Sequence, residues 1–119
     1  MYTKRMDKRI KLEQPIKTVI RRAKNVYNAD ITEICRGGLK IVSENKYKKG
    51  DRLEFEFPIS YKTTNISVII KAKIKNDYGA DTDNLHGYGI KFSRVPFIYF
   101  WEKSQIENFV YFQSAPKRK

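Results

Sequence analysis

Strict alternation of apolar and charged residues in two segments is the feature that most limits what this chain can fold into. In the first segment Leu53, Phe55 and Phe57 alternate with an arginine and two glutamates. In the second, from Ile66 to Ile74, apolar residues recur at every second position and alternate with lysines toward the end of the segment. Because successive side chains of a strand point to opposite faces, both segments predict strands with one buried face and one exposed face.

The residues before these two strands carry a weaker extended pattern. From Ile10 onward apolar residues alternate loosely with charged or polar ones, and Pro15 interrupts them. A strand tolerates proline only at its start or at an edge, so we expect a strand with a break. The polar residues 21–25 then indicate a turn, and residues 26–35 resume extended character. The first part of the chain therefore predicts two strands joined by a turn.

Glycine and proline punctuate the next part of the chain. Gly37 and Gly38 supply a turn able to adopt positive φ, and a short strand at 39–41 follows them. Pro58 comes directly after the first alternating segment, and we expect it to end that strand.

The second half of the chain predicts a long hairpin and then a helix. Residues 76–87 are rich in Asn, Asp and Gly and indicate the hairpin loop, with a return strand at 88–92. Pro96 suits the first turn of a helix, which we expect over residues 96–113. The apolar residues at near-helical spacing, assigned to core packing, are Ile98, Trp101, Ile106, Phe109 and Val110.

Around six short antiparallel strands and one helix indicate a fold dominated by β structure. The alternatives are a small β-barrel and a curled sheet, with the helix covering an otherwise exposed apolar end. At 119 residues the chain is expected to form a single domain. We divide it into a basic arm (1–10), a barrel (10–93), a C-terminal helix (96–113) and a basic tail (114–119).

Positive charge is concentrated at the beginning of the chain. Lysine and arginine number 25 against 13 acidic residues, for a net charge of +12. Residues 1–25 hold nine of the basic residues and two acidic ones, Asp7 and Glu13, and so carry +7. This charge favours a polyanionic partner: a nucleic acid, a nucleotide, or an acidic membrane or protein surface. Charge does not choose among them.

Two arginines four positions apart stand out within the basic arm. Arg5 and Arg9 each present a planar fork of donors that pairs with a phosphate or with the O6/N7 edge of guanine. Two forks on one short segment suit the clamping of a nucleotide, and the alternative is a solvated basic tail.

The residues that usually support catalysis or metal binding are sparse. The single histidine, His86, lies in the predicted hairpin loop, and the single cysteine, Cys35, excludes an intrachain disulfide. Cys35 is better explained as a half-buried residue than as a reactive thiol. We therefore predict a non-enzyme without cofactor or metal. No apolar run approaches the roughly 20 residues needed to span a bilayer and no signal segment is visible, so we expect a cytoplasmic protein.

The order of four features resembles the PilZ domain family. Arg5-x-x-x-Arg9 precedes the first strand, and residues 33–38, Glu-Ile-Cys-Arg-Gly-Gly, occupy the place of the family's Asp/Asn-x-Ser-x-x-Gly motif. Residues 87–92, Gly-Tyr-Gly-Ile-Lys-Phe, look like its penultimate strand, and the terminal helix looks like its barrel plug. The resemblance covers nearly the whole chain.

This resemblance implies a six-stranded antiparallel β-barrel that binds cyclic di-GMP and signals to an effector protein. Arg5 and Arg9 would then grip guanine edges and phosphates, while Glu33, Cys35 and Gly38 would form the second motif. Lys4, beside the first arginine, would leave room for an intercalated ligand dimer. Arg36, in the turn of the second motif, would either contact a phosphate or simply be exposed to solvent, and the two alternatives carry equal weight.

The second motif departs from the family at two of its three positions. Glu33 keeps a carboxylate but adds a methylene, and Cys35 replaces a hydroxyl by a weak S–H donor at a cost of about three- to tenfold in affinity. A less favoured alignment of the motif would use Asp30 and Thr32 in place of Glu33 and Cys35.

The alternatives in function are a degenerate PilZ module that binds proteins without the ligand, for example in motility or pilus machinery, and a barrel that binds single-stranded nucleic acid. The inward positions of the aromatics disfavour nucleic acid.

Overall fold

Six antiparallel strands form a closed barrel, and one helix follows them. The computed structural model describes residues 10–82, 84–93 and 100–114. The elements are β1 (Ile10–Arg22), β2 (Asn25–Cys35), β3 (Gly38–Ser43), β4 (Arg52–Tyr61), β5 (Thr64–Thr82), β6 (Leu85–Phe92) and α1 (Phe100–Ser114). Their order around the barrel is β1-β2-β3-β6-β5-β4, and pairing of β1 with β4 completes the ring. The predicted fold class is confirmed.

Alternation along each strand fills the barrel with apolar side chains. Leu53, Phe55 and Phe57 of β4 are at most 3% exposed, as the period-two pattern predicts. Every second residue of β5 from Val68 to Ile74 is likewise buried. Burial of this apolar surface is the main stabilising contribution to a fold of this kind.

Helix α1 closes one end of the barrel. Its side chains Ile106, Phe109 and Val110 are buried, and the helix packs mainly against β4. The hydroxyl of Tyr61 in β4 donates to Gln105 Oε1 at 2.6 Å and ties the helix to the barrel rim. The expected helix start at 96 and the side chain of Trp101 lie outside the described residues. The division into arm, barrel, helix and tail therefore stays a prediction at both ends of the chain.

Two expectations about proline in strands have different outcomes. The break at Pro15 is confirmed, because the β1–β2 register shifts between Lys11 and Ile16. The expectation that Pro58 ends its strand is wrong, since β4 continues to Tyr61 and Pro58 stays in register with β5. The β1–β4 pairs end at Glu56, so Pro58 lies beyond them and its missing N–H is tolerated there.

The predicted hairpin loop at 76–87 is also wrong. Strand β5 runs to Thr82 and β6 begins at Leu85, with register shifts after Ile74, after Asp77 and after Ala80. The residues rich in Asn, Asp and Gly lie at and between these shifts, where a strand accommodates extra residues, and Gly79 takes a positive φ of 82°. A composition typical of loops therefore lies within an irregular pair of strands.

Gly38 is required for a different reason from the one expected. Neither Gly37 nor Gly38 has positive φ, which among the described residues occurs at Ala23, Gly50, Lys62 and Gly79. A Cβ built on Gly38 would instead overlap the carbonyl oxygen of Ile90 in β6. The glycine thus permits β3 to lie against β6.

Substitution of Gly38 tests this packing requirement. We expect Gly38→Ala to lower the free energy of unfolding by about 1–3 kcal/mol, because β3 and β6 must separate to admit the methyl group. Gly87→Ala is the matched control, since a Cβ there would meet Tyr78 Cβ at 3.6 Å, an ordinary contact. Urea denaturation measures both variants. Equal losses of stability would contradict the assignment.

Candidate ligand-binding site

A pocket of about 250 Å³ lies on the outside of the barrel, across β2, β3, β6 and β5. Two segments that are distant in the sequence, residues 33–40 and residues 75–91, lie side by side in the barrel and form this pocket. Its lining residues are Glu33, Ile34, Cys35, Gly37, Gly38, Leu39, Lys40, Lys75, Asn76, Tyr78, Gly89, Ile90 and Lys91.

Strand register arranges the pocket as two parallel rows of outward-facing residues. The first row crosses the four strands at Glu33, Lys40, Gly89 and Asn76. The second row crosses them at Cys35, Gly38, Lys91 and Lys73, and the first three of these line the pocket. Directly opposed residues of antiparallel strands share a face, so each row presents its side chains to the same surface. Gly38 and Gly89 contribute no side chains, and the side chains of Asn76 and Tyr78 lie over Gly89.

An irregularity in β2 turns the second motif toward this pocket. The β2–β3 register shifts between Ile31 and Glu33, and Thr32 is the extra residue. Ile31 and Ile34 are both buried, so Glu33 and Cys35 flank Ile34 on the outer face. Asp30 instead lies 3.6 Å from Lys17 Nζ. The less favoured alignment of the motif, with Asp30 and Thr32, does not line the pocket.

The pocket carries a surplus of positive charge. Among its lining residues, Lys40, Lys75 and Lys91 stand against one carboxylate, Glu33. Lys75 and Lys91 are exposed, whereas Lys40 and Glu33 are half-buried. The ammonium of Lys40 lies over the Tyr78 ring, 5.3 Å from its centroid. The arrangement suits an anionic ligand with about two negative charges.

The basic residues of the β1–β2 turn serve a different purpose. Arg21 Nη2 donates to Glu56 Oε1 at 2.7 Å, and Arg22 Nη1 donates to Asp51 Oδ2 at 2.8 Å. These arginines pair with carboxylates on and next to β4, at the opposite end of β1 from the pocket.

The predicted site residues divide into three groups. Glu33, Cys35 and Gly38 line the pocket together, while Arg36 is exposed in the turn that follows β2 and is not among its lining residues. Lys4, Arg5 and Arg9 lie outside the described residues. Strand β1 begins at Ile10, which pairs with Ile34 of the pocket wall. The arm therefore joins the barrel at the edge of the pocket.

Five polar residues of the lining are not among those predicted from the sequence. Lys40, Lys75 and Lys91 alternate with buried residues in the sequence. This pattern predicts that they lie on the outer face of the barrel, but it does not predict a pocket there. Asn76 and Tyr78 fell in the predicted loop, and only the β5–β6 pairing places them on the pocket wall.

The described residues offer little catalytic or metal chemistry. They contain no group of three histidine, cysteine, aspartate or glutamate side chains arranged to hold a metal ion. His86 Nε2 lies 2.9 Å from Asp77 Oδ1, and neither residue is among those that line the pocket. The Gly79 N–H bonded to Asp77 lowers the pKa of that carboxyl, and His86 adds to the effect. None of the described helical residues forms a helix long and apolar enough to cross a membrane.

Comparison with known proteins assigns this barrel to a family. The family model described as PilZ domain matches residues 3–112. A search of curated proteins gives no match. Among solved structures, the Bacillus subtilis inhibitor of motility, MotI/DgrA, is similar with TM-score 0.74 and 11% identity over 98% of this chain. This chain spans about half (55%) of that one. The PilZ domain of YcgR from Escherichia coli, with c-di-GMP, has TM-score 0.64 and 14% identity, covering 93% of this chain and 92% of that one.

Proposed function

The chain belongs to the PilZ domain family, and we propose that it is a non-enzymatic receptor for cyclic di-GMP that signals to an effector protein. The ligand would occupy the pocket and bridge the β2–β3 wall to the N-terminal arm, residues 1–10. Ordering of the arm on the barrel is then the signal. We place this activity in the cytoplasm.

The observation that carries the proposal is the charge and position of the pocket. The family's second motif lines it through Glu33, Cys35 and Gly38, and three lysines surround that motif. Cyclic di-GMP is a compact dianion with two guanines, so a net surplus of two positive charges matches it. The PilZ domain of E. coli YcgR, whose fold is similar, is described with this ligand.

The start of β1 supports a role for the arm. Arg9 is bonded to Ile10, and Ile10 pairs with Ile34 at the pocket. Arg5 is five residues from Ile10, a separation that spans at most about 17 Å. Both guanidinium groups are thus within reach of a ligand in the pocket, where each would pair with a phosphate or a guanine edge.

Glu33 and Cys35 would make the contacts from the barrel. The Glu33 carboxylate would accept from the N1 and N2 donors of guanine, although its extra methylene changes the required geometry. Cys35 would supply a weaker hydrogen bond than a serine hydroxyl. Lys91 and Lys75, both exposed on the pocket rim, would neutralise phosphates.

Lys4 would leave space for a second, intercalated ligand molecule. Two ligands per chain at the titration endpoint would support this stoichiometry, whereas one ligand per chain would contradict it.

A second candidate function is a PilZ module that binds its effector without the ligand. The changed motif positions Glu33 and Cys35 favour it, and one similar structure is an inhibitor of motility. Retrieval of the same partner with and without cyclic di-GMP would support this alternative. A role in nucleic-acid binding is disfavoured, because the aromatics Phe55, Phe57, Tyr88 and Phe92 are buried in the barrel.

Loss of the arginine pair tests the receptor function. We expect cyclic di-GMP to bind the wild-type protein, and Arg5→Ala plus Arg9→Ala to weaken binding by at least about 100-fold, because two charge-assisted pairs are lost. Isothermal titration calorimetry measures both. Lys48→Ala plus Lys49→Ala removes the same charge from an exposed turn and should change affinity by less than about threefold.

Two results of this titration would contradict the proposal. One is the absence of binding heat from the wild-type protein at tens of micromolar ligand. The other is undiminished affinity in the double arginine variant.

Restoration of a hydroxyl at position 35 tests the second motif. We expect Cys35→Ser to bind cyclic di-GMP about three- to tenfold more tightly than wild type, because a serine O–H is a stronger donor than a thiol. Cys35→Ala is the control, since it has a similar small size and no donor. If the serine variant binds no more tightly than the alanine variant, position 35 makes no hydrogen bond to the ligand.

A further inference from the structure

Tyr78 is a large aromatic side chain that the barrel holds at its surface. Register shifts on both sides of Asp77 leave Lys75 and Tyr78 as extra residues in β5, without partners in the β6 register. Gly79 follows with a positive φ of 82°, a conformation that favours glycine. The irregular strand therefore presents Tyr78 to the pocket, with 49% of the residue exposed. About half of this side chain is exposed to solvent, so burial accounts for only part of its placement.

Three neighbours fix the position of this ring. Asn76 Nδ2 donates to the Tyr78 hydroxyl at 3.3 Å. A Cβ built on Gly89 would lie 2.9 Å from the same hydroxyl oxygen, so the tyrosine extends across the bare backbone of Gly89. Lys40, directly opposite Gly89 in β3, places its ammonium 5.3 Å from the ring centroid. The ring is thus held in place beside the pocket before any ligand arrives.

The chemistry of these residues complements the two parts of a guanine nucleotide. A flat aromatic ring stacks on a base, and such stacking is worth about 1–3 kcal/mol per base. An ammonium ion pairs with a phosphate through charge-assisted hydrogen bonds. A cation over an exposed ring contributes only about 0.5–1 kcal/mol. Exchange of the Lys40–Tyr78 contact for stacking and phosphate pairing is therefore favourable.

We propose that Tyr78 is a stacking platform for one guanine of the ligand, and that Lys40 leaves the ring on binding to pair with a phosphate. This proposal rests on the proposed function, because it assumes that the pocket binds cyclic di-GMP. Tyr78 of β5 and Lys40 of β3 would thus form a further wall of the ligand site, in addition to the walls formed by the arm and by the second motif. This wall offsets part of the affinity lost at Cys35.

Substitution of Tyr78 gives a direct test by calorimetry with cyclic di-GMP. We expect Tyr78→Ala to weaken binding by about 5- to 150-fold, the range that corresponds to loss of one stacked base. Tyr78→Phe keeps the ring and should stay within about threefold of wild type. Tyr111→Ala removes a tyrosine that is 66% exposed on α1 and should leave the affinity unchanged. Thermal unfolding of each variant checks that the barrel is intact.

A nuclear magnetic resonance signal separates stacking from a structural role. The H8 proton of a guanine stacked on tyrosine shifts upfield through the ring current. We expect a larger upfield shift with wild type and Tyr78→Phe than with Tyr78→Ala at saturating ligand, because only the first two place a protein ring against the base. Lys40→Gln should weaken binding while keeping the upfield shift, because it removes the phosphate partner and not the ring.

The possible results distinguish this proposal from the receptor function. If wild type binds and depends on Arg5 and Arg9, but Tyr78→Ala binds equally well with the same H8 shift, the stacking platform is overturned and the receptor function stands. If wild type binds no cyclic di-GMP, both are overturned. Weakened binding in Tyr78→Ala and in Tyr78→Phe alike would also overturn it, because the ring would then not be the group that matters.

Discussion

The close approach of β3 to β6 at Gly38 is the constraint on which the candidate site depends. No Cβ fits between Gly38 and the Ile90 carbonyl, and the Phe92 N–H donates to the Gly37 carbonyl at 2.9 Å. This approach fixes the register that sets Lys91 beside Gly38 and Lys40 beside Gly89. Residues more than 50 positions apart in the chain therefore share one pocket.

The distribution of ion pairs makes this face of the barrel favourable for an anion. Around the β1–β2 turn, Arg21 and Arg22 are paired with Glu56 and Asp51. At the pocket, three lysines face one carboxylate. Positive charge that is compensated at one end of the barrel is thus in excess at the other, beside the point where the basic arm joins β1. An anion bound between the arm and the pocket would contact both sources of charge.

Much of the fold was predictable because alternation is a local signal. Leu53, Phe55 and Phe57 indicate their buried face from sequence spacing alone, and the structure confirms it. The extent of β5 was not predictable, because its Asn-, Asp- and Gly-rich end is typical of a loop. Its strand character depends on pairing with β6 and on irregularities that a sequence pattern does not reveal.

The lining of the candidate pocket was predictable only in part for the same reason. Glu33, Cys35 and Gly38 follow one another closely in the chain, so a short motif identifies them, and the structure gathers them in the pocket. Tyr78 and Lys40 come together only through the tertiary fold. The ligand-binding roles of all the predicted site residues stay predictions. Lys4, Arg5 and Arg9 also lie outside the described residues, and Arg36 is not among the lining residues.

The single cysteine is a direct probe of whether cyclic di-GMP binds in this pocket. Cys35 is free and lines the pocket, so the rate of its alkylation by iodoacetamide, followed by mass spectrometry, reports occupancy there. We predict that saturating cyclic di-GMP slows this reaction severalfold, and that the same concentration of GMP has a much smaller effect. Binding of cyclic di-GMP by calorimetry with an unchanged alkylation rate would place the ligand elsewhere and contradict binding in this pocket.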